Sequence, residues 1–154
     1  MRTDYISWYD FFMGVAKLAA QRSKDDSTQN GAVIVDNNNV IVGVGYNGLP
    51  VGEKDTPTKW SRPLKYDLVI HAEDNALLNS FDRDLTGCSL YLWSSRNFLP
   101  CQCCAEKIVK SGVKVVYCNG FPDEHHLYDW GYTQTLFEDN GIELFIDRVK
   151  IDLV

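Results

Sequence analysis

His71 and Glu73 stand two residues apart, and Pro100-Cys101-Gln102-Cys103-Cys104 follows after one strand's worth of chain. An imidazole and a Cys-x-x-Cys pair can together hold one zinc ion. If a helix begins after Pro100, Cys101 and Cys104 share one face of its first turn, so a single ion reaches both sulfurs. The unsatisfied N–H groups and positive dipole end of that turn favour thiolate over thiol. Two thiolates and a neutral His71 balance a dication and leave the fourth tetrahedral position to water, the layout of a catalytic zinc. Zinc lowers the pKa of such a water to about 7, and Glu73 is placed to move its protons. The expectation is one Zn²⁺ per chain, held by His71, Cys101 and Cys104, with Glu73 as the catalytic residue of a metal-assisted hydrolysis. A Cys-x-x-Cys alone would equally suit a structural zinc knuckle or a redox pair; Glu73 beside the histidine favours chemistry. Cys103 reads as a packing residue, Cys88 and Cys118 as small apolar core residues, and His125-His126 as a solvated helix start.

The elements that must position these groups follow from periodicity. Trp8, Phe11, Phe12, Val15, Leu18 and Ala19 keep helical spacing after Ser7 or Asp10 as N-cap. Gly31–Val35 and Val40–Gly45 are β-branched runs joined by Asp36-Asn37-Asn38-Asn39 and predict a hairpin. Residues 46–70 carry three prolines and no sustained period, so they are expected to be irregular, and loops of that length tend to be functional or disordered. Beyond them the pattern predicts a helix over 72–81, a strand over 89–93, a helix over 101–111 stopped by Gly112, and a strand over 113–117. A helix from Asp123 or Glu124 to Asn140 and a strand over 142–146 complete the chain. Five strands with interleaved helices indicate a three-layer α/β/α sandwich in a single domain over 1–154.

Composition narrows the partners. The 154 residues are 45% hydrophobic, enough for one core. Fifteen Lys and Arg against 21 Asp and Glu give a net charge of −6, which disfavours a phosphate-tracking groove and hence nucleic acid. A small polar substrate fits better. Five cysteines, three of them within four positions, suit metal chelation in a reducing compartment rather than a disulfide framework, so a cytoplasmic location is expected. The N-terminus lacks an apolar signal region, and no run approaches the roughly 18 apolar residues of a membrane span.

Longer stretches carry a resemblance. Arg22-Ser23-Lys24-Asp25, Gly31-Ala32-Val33-Ile34-Val35, Gly45-Tyr46-Asn47-Gly48-Leu49-Pro50, His71-Ala72-Glu73 with Asn75-Ala76, and Cys104-Ala105 through Ser111-Gly112 occur in the order shown by the deoxycytidylate (dCMP) deaminases. The likeness spans roughly residues 7–146, and the Gly-Tyr-Asn-Gly-x-Pro segment sets that family apart from zinc deaminases of free nucleosides, tRNA or DNA. It implies a cytidine deaminase-like fold with a mixed five-stranded sheet, and conversion of dCMP to dUMP and ammonia, feeding thymidylate synthesis. It further implies that Asn47 binds the deoxyribose hydroxyl, that the backbone at Ala72 faces the base, and that Lys24 and Ser27, with Thr28, lie in the phosphate-contacting region. Asn-Gly is also a common turn dipeptide. Lys59, Arg62, Lys65 and Arg96 offer further cations, and Tyr117 is a weaker candidate for the same pocket. Relatives are typically homohexamers, activated by dCTP and inhibited by dTTP through a site that includes Gly45, Tyr46, Asn47 and Gly48, so a homo-oligomer with these effectors is implied.

The chain also departs from the family. The stretch Leu92–Leu99 is about twice the usual span before the cysteine pair, which suggests a bulge or loop at the pocket mouth or a subunit contact, with Arg96 or Asn97 reaching the phosphate or a base substituent. Asp74 replaces a more usual apolar residue; it either raises the pKa of Glu73 or faces solvent. Residues 46–70 contain no His or Cys, so a second zinc is not expected. Alternatives to dCMP as substrate are a 5-substituted dCMP, dCTP or cytidine. A catalytically silent nucleotide-binding zinc protein is a further alternative, one in which Glu73 would have no task.

Overall fold

The structure, a computed structural model, describes residues 1–123 and 130–152. Helix α1 (Trp8–Ala20) opens on Ser7, whose hydroxyl accepts from the Asp10 amide at 3.1 Å. Strands β1 (Asn30–Val35) and β2 (Ile41–Tyr46) form the expected antiparallel hairpin, and Asn39 takes a left-handed φ of 60° in its turn. Then come α4 (Ala72–Asn79), β3 (Ser89–Ser94), α5 (Gln102–Ser111), β4 (Val115–Cys118), α6 (Trp130–Asp139) and β5 (Glu143–Ile146). The expected start of the last helix, with His125-His126, lies outside the described residues.

Two features correct the sequence reading. The segment 46–70 holds two short helices, α2 (Pro57–Trp60), capped by Thr56 with Pro57 in its first turn, and α3 (Leu64–Leu68). Helices of one turn carry too few residues to show a period. The sheet has six strands rather than five. Its order is β2-β1-β3-β4-β5-β6, with β6 (Val149–Lys150) folding back antiparallel on β5. Asp147 and Arg148 make that turn at φ of 45° and 67°, where the hairpin signal would have been Asn-Gly or Asp-Gly. The sheet is mixed: β1 is antiparallel to β2 and β3, whereas β3, β4 and β5 run parallel.

Strand alternation divides the core into two. Ala32, Ile34, Leu90, Leu92, Val116, Cys118, Leu144 and Ile146 face α4, α5 and α6, whereas Val33, Val35 and Tyr91 face α1 through Phe12, Met13 and Ala16. That is a three-layer α/β/α sandwich. Its layers touch through main chain where the site needs it. A Cβ on Gly45 would lie 2.4 Å from the Ala72 carbonyl oxygen, and one on Gly31 would lie 1.9 Å from the Ala16 carbonyl oxygen. Helix α4 is thereby seated directly on β2, and Asn75 and Asn79 donate from it to the Tyr46 and Val44 carbonyls at 2.7 and 2.9 Å.

Candidate active site

Both halves of the donor set sit at helix N-termini. His71 is the N-cap of α4 and Cys101 the N-cap of α5, and neither side chain caps its own helix. They turn instead toward each other. The chain reaches His71 through paired backbone bonds between Gly48 and Ile70 at 3.1 and 2.9 Å. It reaches Cys101 through Pro100, whose carbonyl accepts from the buried Thr133 hydroxyl of α6 at 2.8 Å. His71 Nδ1 lies 3.3 Å from Cys101 Sγ and 3.5 Å from Cys104 Sγ, and the three donor atoms fall within 4.8 Å of one another. Tetrahedral zinc with bonds of ~2.0–2.3 Å separates its ligands by roughly 3.5–3.8 Å, so the residues present fit the ion. No other such donor group occurs among the described residues.

Protons on these side chains are held by one another. Cys101 is a thiolate with its pKa held down to about 4, through hydrogen bonds from Cys104 first and then His71, against the cost of burial. His71 is raised to about 9, chiefly by its hydrogen bond to Cys101. The Cys104 thiol is pushed up by its bond to Cys101 and by burial. Burial likewise pushes the carboxyl of Glu73, 3% exposed in the second position of α4, up to about 7. Asp74 makes an ion pair with Lys107 and adds only a lesser raising effect on Glu73. Cys103 is exposed rather than packed, while Cys88 and Cys118 are buried.

Glu73, His71 and Cys101 line a cavity of about 310 Å³, at the lower end of the range for small-molecule sites. Asn47, Ser27, Thr28 and Arg96 line it too. Ala72, Lys24, Tyr117, Gly45, Tyr46 and Gly48 are not among its lining residues. Tyr117 is on the other face of the sheet, stacked between Tyr91 and Phe145 at 4.5 and 4.9 Å, because its neighbours Val116 and Cys118 take the site side. Lys24 is ion-paired with Asp55 in a second cavity of about 240 Å³, with Arg22, Tyr46, Gly48 and Trp60. Ala72 is fully buried at the start of α4.

Asn47 is 5% exposed and acts as a clasp: its Oδ1 accepts from the Asn30 amide and its Nδ2 donates to the Thr28 carbonyl, both at 2.9 Å. One lone pair and one N–H remain for a ligand. Sequence reasoning missed Asp25, Asn30, Tyr66, Phe98 and Trp130 as lining residues. Asp25 is the most consequential of them. Its carboxylate receives Lys65 Nζ at 3.0 and 3.2 Å and the Ser27 amide at 2.8 Å, so a buried ion pair shapes one wall. No periodicity reports a partnership across 40 residues. Asn97, the other residue expected to reach the ligand, instead accepts from Asn119 Nδ2 at 2.9 Å and anchors the loop.

A three-layer sandwich presenting His, Cys and Cys donors at two helix N-termini, with a buried glutamate in the first turn of one of them and a cavity alongside, defines a zinc deaminase-type site. The family model for the cytidine and deoxycytidylate deaminase zinc-binding region matches residues 6–119, and the chain belongs to this family. It is 46% identical to human deoxycytidylate deaminase over 121 residues, which cover 75% of this chain and 66% of that protein. The chain thus spans just under two thirds of that relative. An uncharacterised deaminase of Aliivibrio fischeri is 40% identical over 143 residues, covering 89% of this chain and 91% of the relative. Among solved structures, the dCMP deaminase of cyanophage S-TIM5 is similar at a TM-score of 0.68 and 26% identity, covering 95% of this chain and 99% of that one. The same enzyme in complex with dCMP and dUMP matches at a TM-score of 0.66 and 25% identity, covering 94% and 97%.

Proposed function

We propose that the protein deaminates dCMP hydrolytically to dUMP and ammonia. The observation that carries this reading is the buried Glu73 carboxyl beside a zinc-fitting His/Cys/Cys set on the wall of a nucleotide-sized cavity. Zinc bound there supplies a Lewis acid that makes water nucleophilic near neutral pH. Glu73 takes one proton from the attacking water and gives it to pyrimidine N3, which makes C4 more electrophilic. The water oxygen bonds to C4, and Glu73 carries the second proton to the amino group. The C4–N bond breaks, ammonia departs and the C4 carbonyl remains. Burial favours the protonated form of the Glu73 carboxyl, which suits a group that must give back each proton it takes. Asn47 addresses the sugar hydroxyl with its remaining valences, and Ser27 lies at the phosphate end of the same wall.

The test is loss of the cytosine chromophore in the zinc-loaded protein with dCMP, 5-methyl-dCMP, 5-hydroxymethyl-dCMP, dCTP and deoxycytidine. Turnover of dCMP is expected, and absence of turnover for every substrate would sink the enzymatic reading. We further propose regulation by dCTP and dTTP, supported by the second cavity, where Tyr46 and Gly48 meet Arg22 and Lys24 on the back of the Asn47 loop. Self-association, as a hexamer by resemblance, is supported by the exposed apolar row Trp8, Phe11 and Leu18 on α1. A reducing, cytoplasmic setting is supported by the five unpaired cysteines.

A further inference from the structure

Cations near the cavity are not equivalent once their partners are assigned. Of the five offered by the sequence, Lys24 is paired with Asp55, Lys59 with Glu53, and Lys65 with Asp25. All three Lys65 hydrogens are committed, since Ser27 Oγ lies 3.3 Å from its nitrogen beside the two Asp25 oxygens. Arg62 and Arg96 differ. Both line the cavity, and neither forms an ion pair with a carboxylate among the described residues. Each guanidinium lies over an aromatic ring that also lines the cavity: Arg62 is 5.9 Å from the Tyr66 centroid and Arg96 is 5.7 Å from that of Phe98. An aromatic shelf orients a guanidinium without neutralising it, so its donors stay available to an anion.

The charge balance of the cavity then points to the anion's size. Asp25 cancels Lys65, two thiolates cancel a bound dication, and Glu73 serves the reaction. Arg62 and Arg96 remain, two fixed positive charges at the solvent-exposed mouth. A phosphate monoester carries about −1.5 to −2 at neutral pH and presents three acceptor oxygens, whereas a triphosphate brings charge that these two groups leave unmet. Arg96 also belongs to the extended stretch before the cysteine pair. That loop is pinned by the Ser95 amide on the Gln29 carbonyl at 2.9 Å, the Arg96 amide on Ser94 Oγ at 3.3 Å and the Asn97–Asn119 bond. A pinned loop aims Arg96 rather than letting it sweep.

We propose that Arg62 and Arg96 form a two-arginine clamp that holds the nucleotide's single phosphate and discriminates against longer phosphate chains. The clamp rests on the nucleotide reading given above. Its test is the dissociation constant of dUMP, dUTP and deoxyuridine for the zinc-loaded protein by calorimetry, in wild type, Arg62→Gln, Arg96→Gln, the double variant and Arg96→Lys. Wild type is expected to bind dUMP at least tenfold more tightly than dUTP. Each glutamine is expected to weaken dUMP about tenfold and the pair about a hundredfold. Zinc content and deoxyuridine binding stay unchanged, and Arg96→Lys recovers part of the loss. Dissociation of dUMP within threefold of wild type in the double variant, equal loss for deoxyuridine, or dUTP binding as tightly as dUMP would each overturn the clamp. Failure of the parent reading looks different: wild type would then bind dUMP through the arginines yet turn over no cytosine nucleotide. No dUMP binding by wild type overturns both.

Discussion

Among individual residues, the donor set divides into atoms that hold a metal and one that does not. Glu73→Gln keeps the shape and removes the proton carrier, so zinc content by atomic absorption should stay at one per chain while turnover falls by about 10²–10⁴ or more. Cys104→Ser should instead lose the metal. The free site also makes a prediction about protons. At pH 7 His71, with a pKa near 9, is charged, the Cys104 thiol is protonated, and Cys101, held near 4, is already a thiolate. Zinc must therefore displace about two protons, one each from His71 and Cys104. Calorimetric titration in buffers of differing ionisation enthalpy should report about two protons released at pH 7, with apparent affinity rising as pH increases through neutrality. Release near zero would mean that the donors are already in ligand form.

Elements, rather than residues, explain why the donors converge. Two helices begin at the ligands, and the sheet holds those helices at a spacing set by backbone contact. Gly45→Ala places a methyl 2.4 Å from α4 main chain that cannot step aside, and a loss of about 1–3 kcal/mol or more is expected in urea unfolding. The buried Asp25–Lys65 pair makes a contrasting case. Asp25→Ala strands a buried ammonium and should cost about 3–5 kcal/mol, whereas the joint change Asp25→Ala with Lys65→Met should cost much less. Legibility in the sequence followed the range of each interaction. Ser7, Gly112 and the Asp36–Asn39 turn signal their elements locally, so α1, α5 and the hairpin were readable. That His71, Cys101 and Cys104 come together was readable because two short motifs carry them. Asp25 with Lys65 and the face taken by Tyr117 depend on partners far along the chain, and the hairpin after Ile146 lacked its usual turn residues. Those are the places where expectation and structure part.

For the whole molecule, a zinc ion held by His71, Cys101 and Cys104 would tie α4 to α5, two helices that pack on the same face of the sheet, so its removal should loosen the domain. Chelation is expected to lower the thermal midpoint by several degrees, and zinc should restore it, because an ion that binds only the folded form stabilises it by mass action. A midpoint indifferent to chelator would place zinc outside the folding equilibrium. The fold keeps its parts separable in another respect. His71, Glu73, Cys101 and Cys104 are fixed by helices seated on the sheet, whereas Ser95 and Arg96 form the exposed crown of the arch between β3 and α5, whose two ends are held by the buried Ser94 and Leu99. Side chains at that crown can change without displacing the buried Leu99 and Pro100 that lead into Cys101. Ser95 and Arg96 are therefore open to selection separately from the residues that gather the donor atoms.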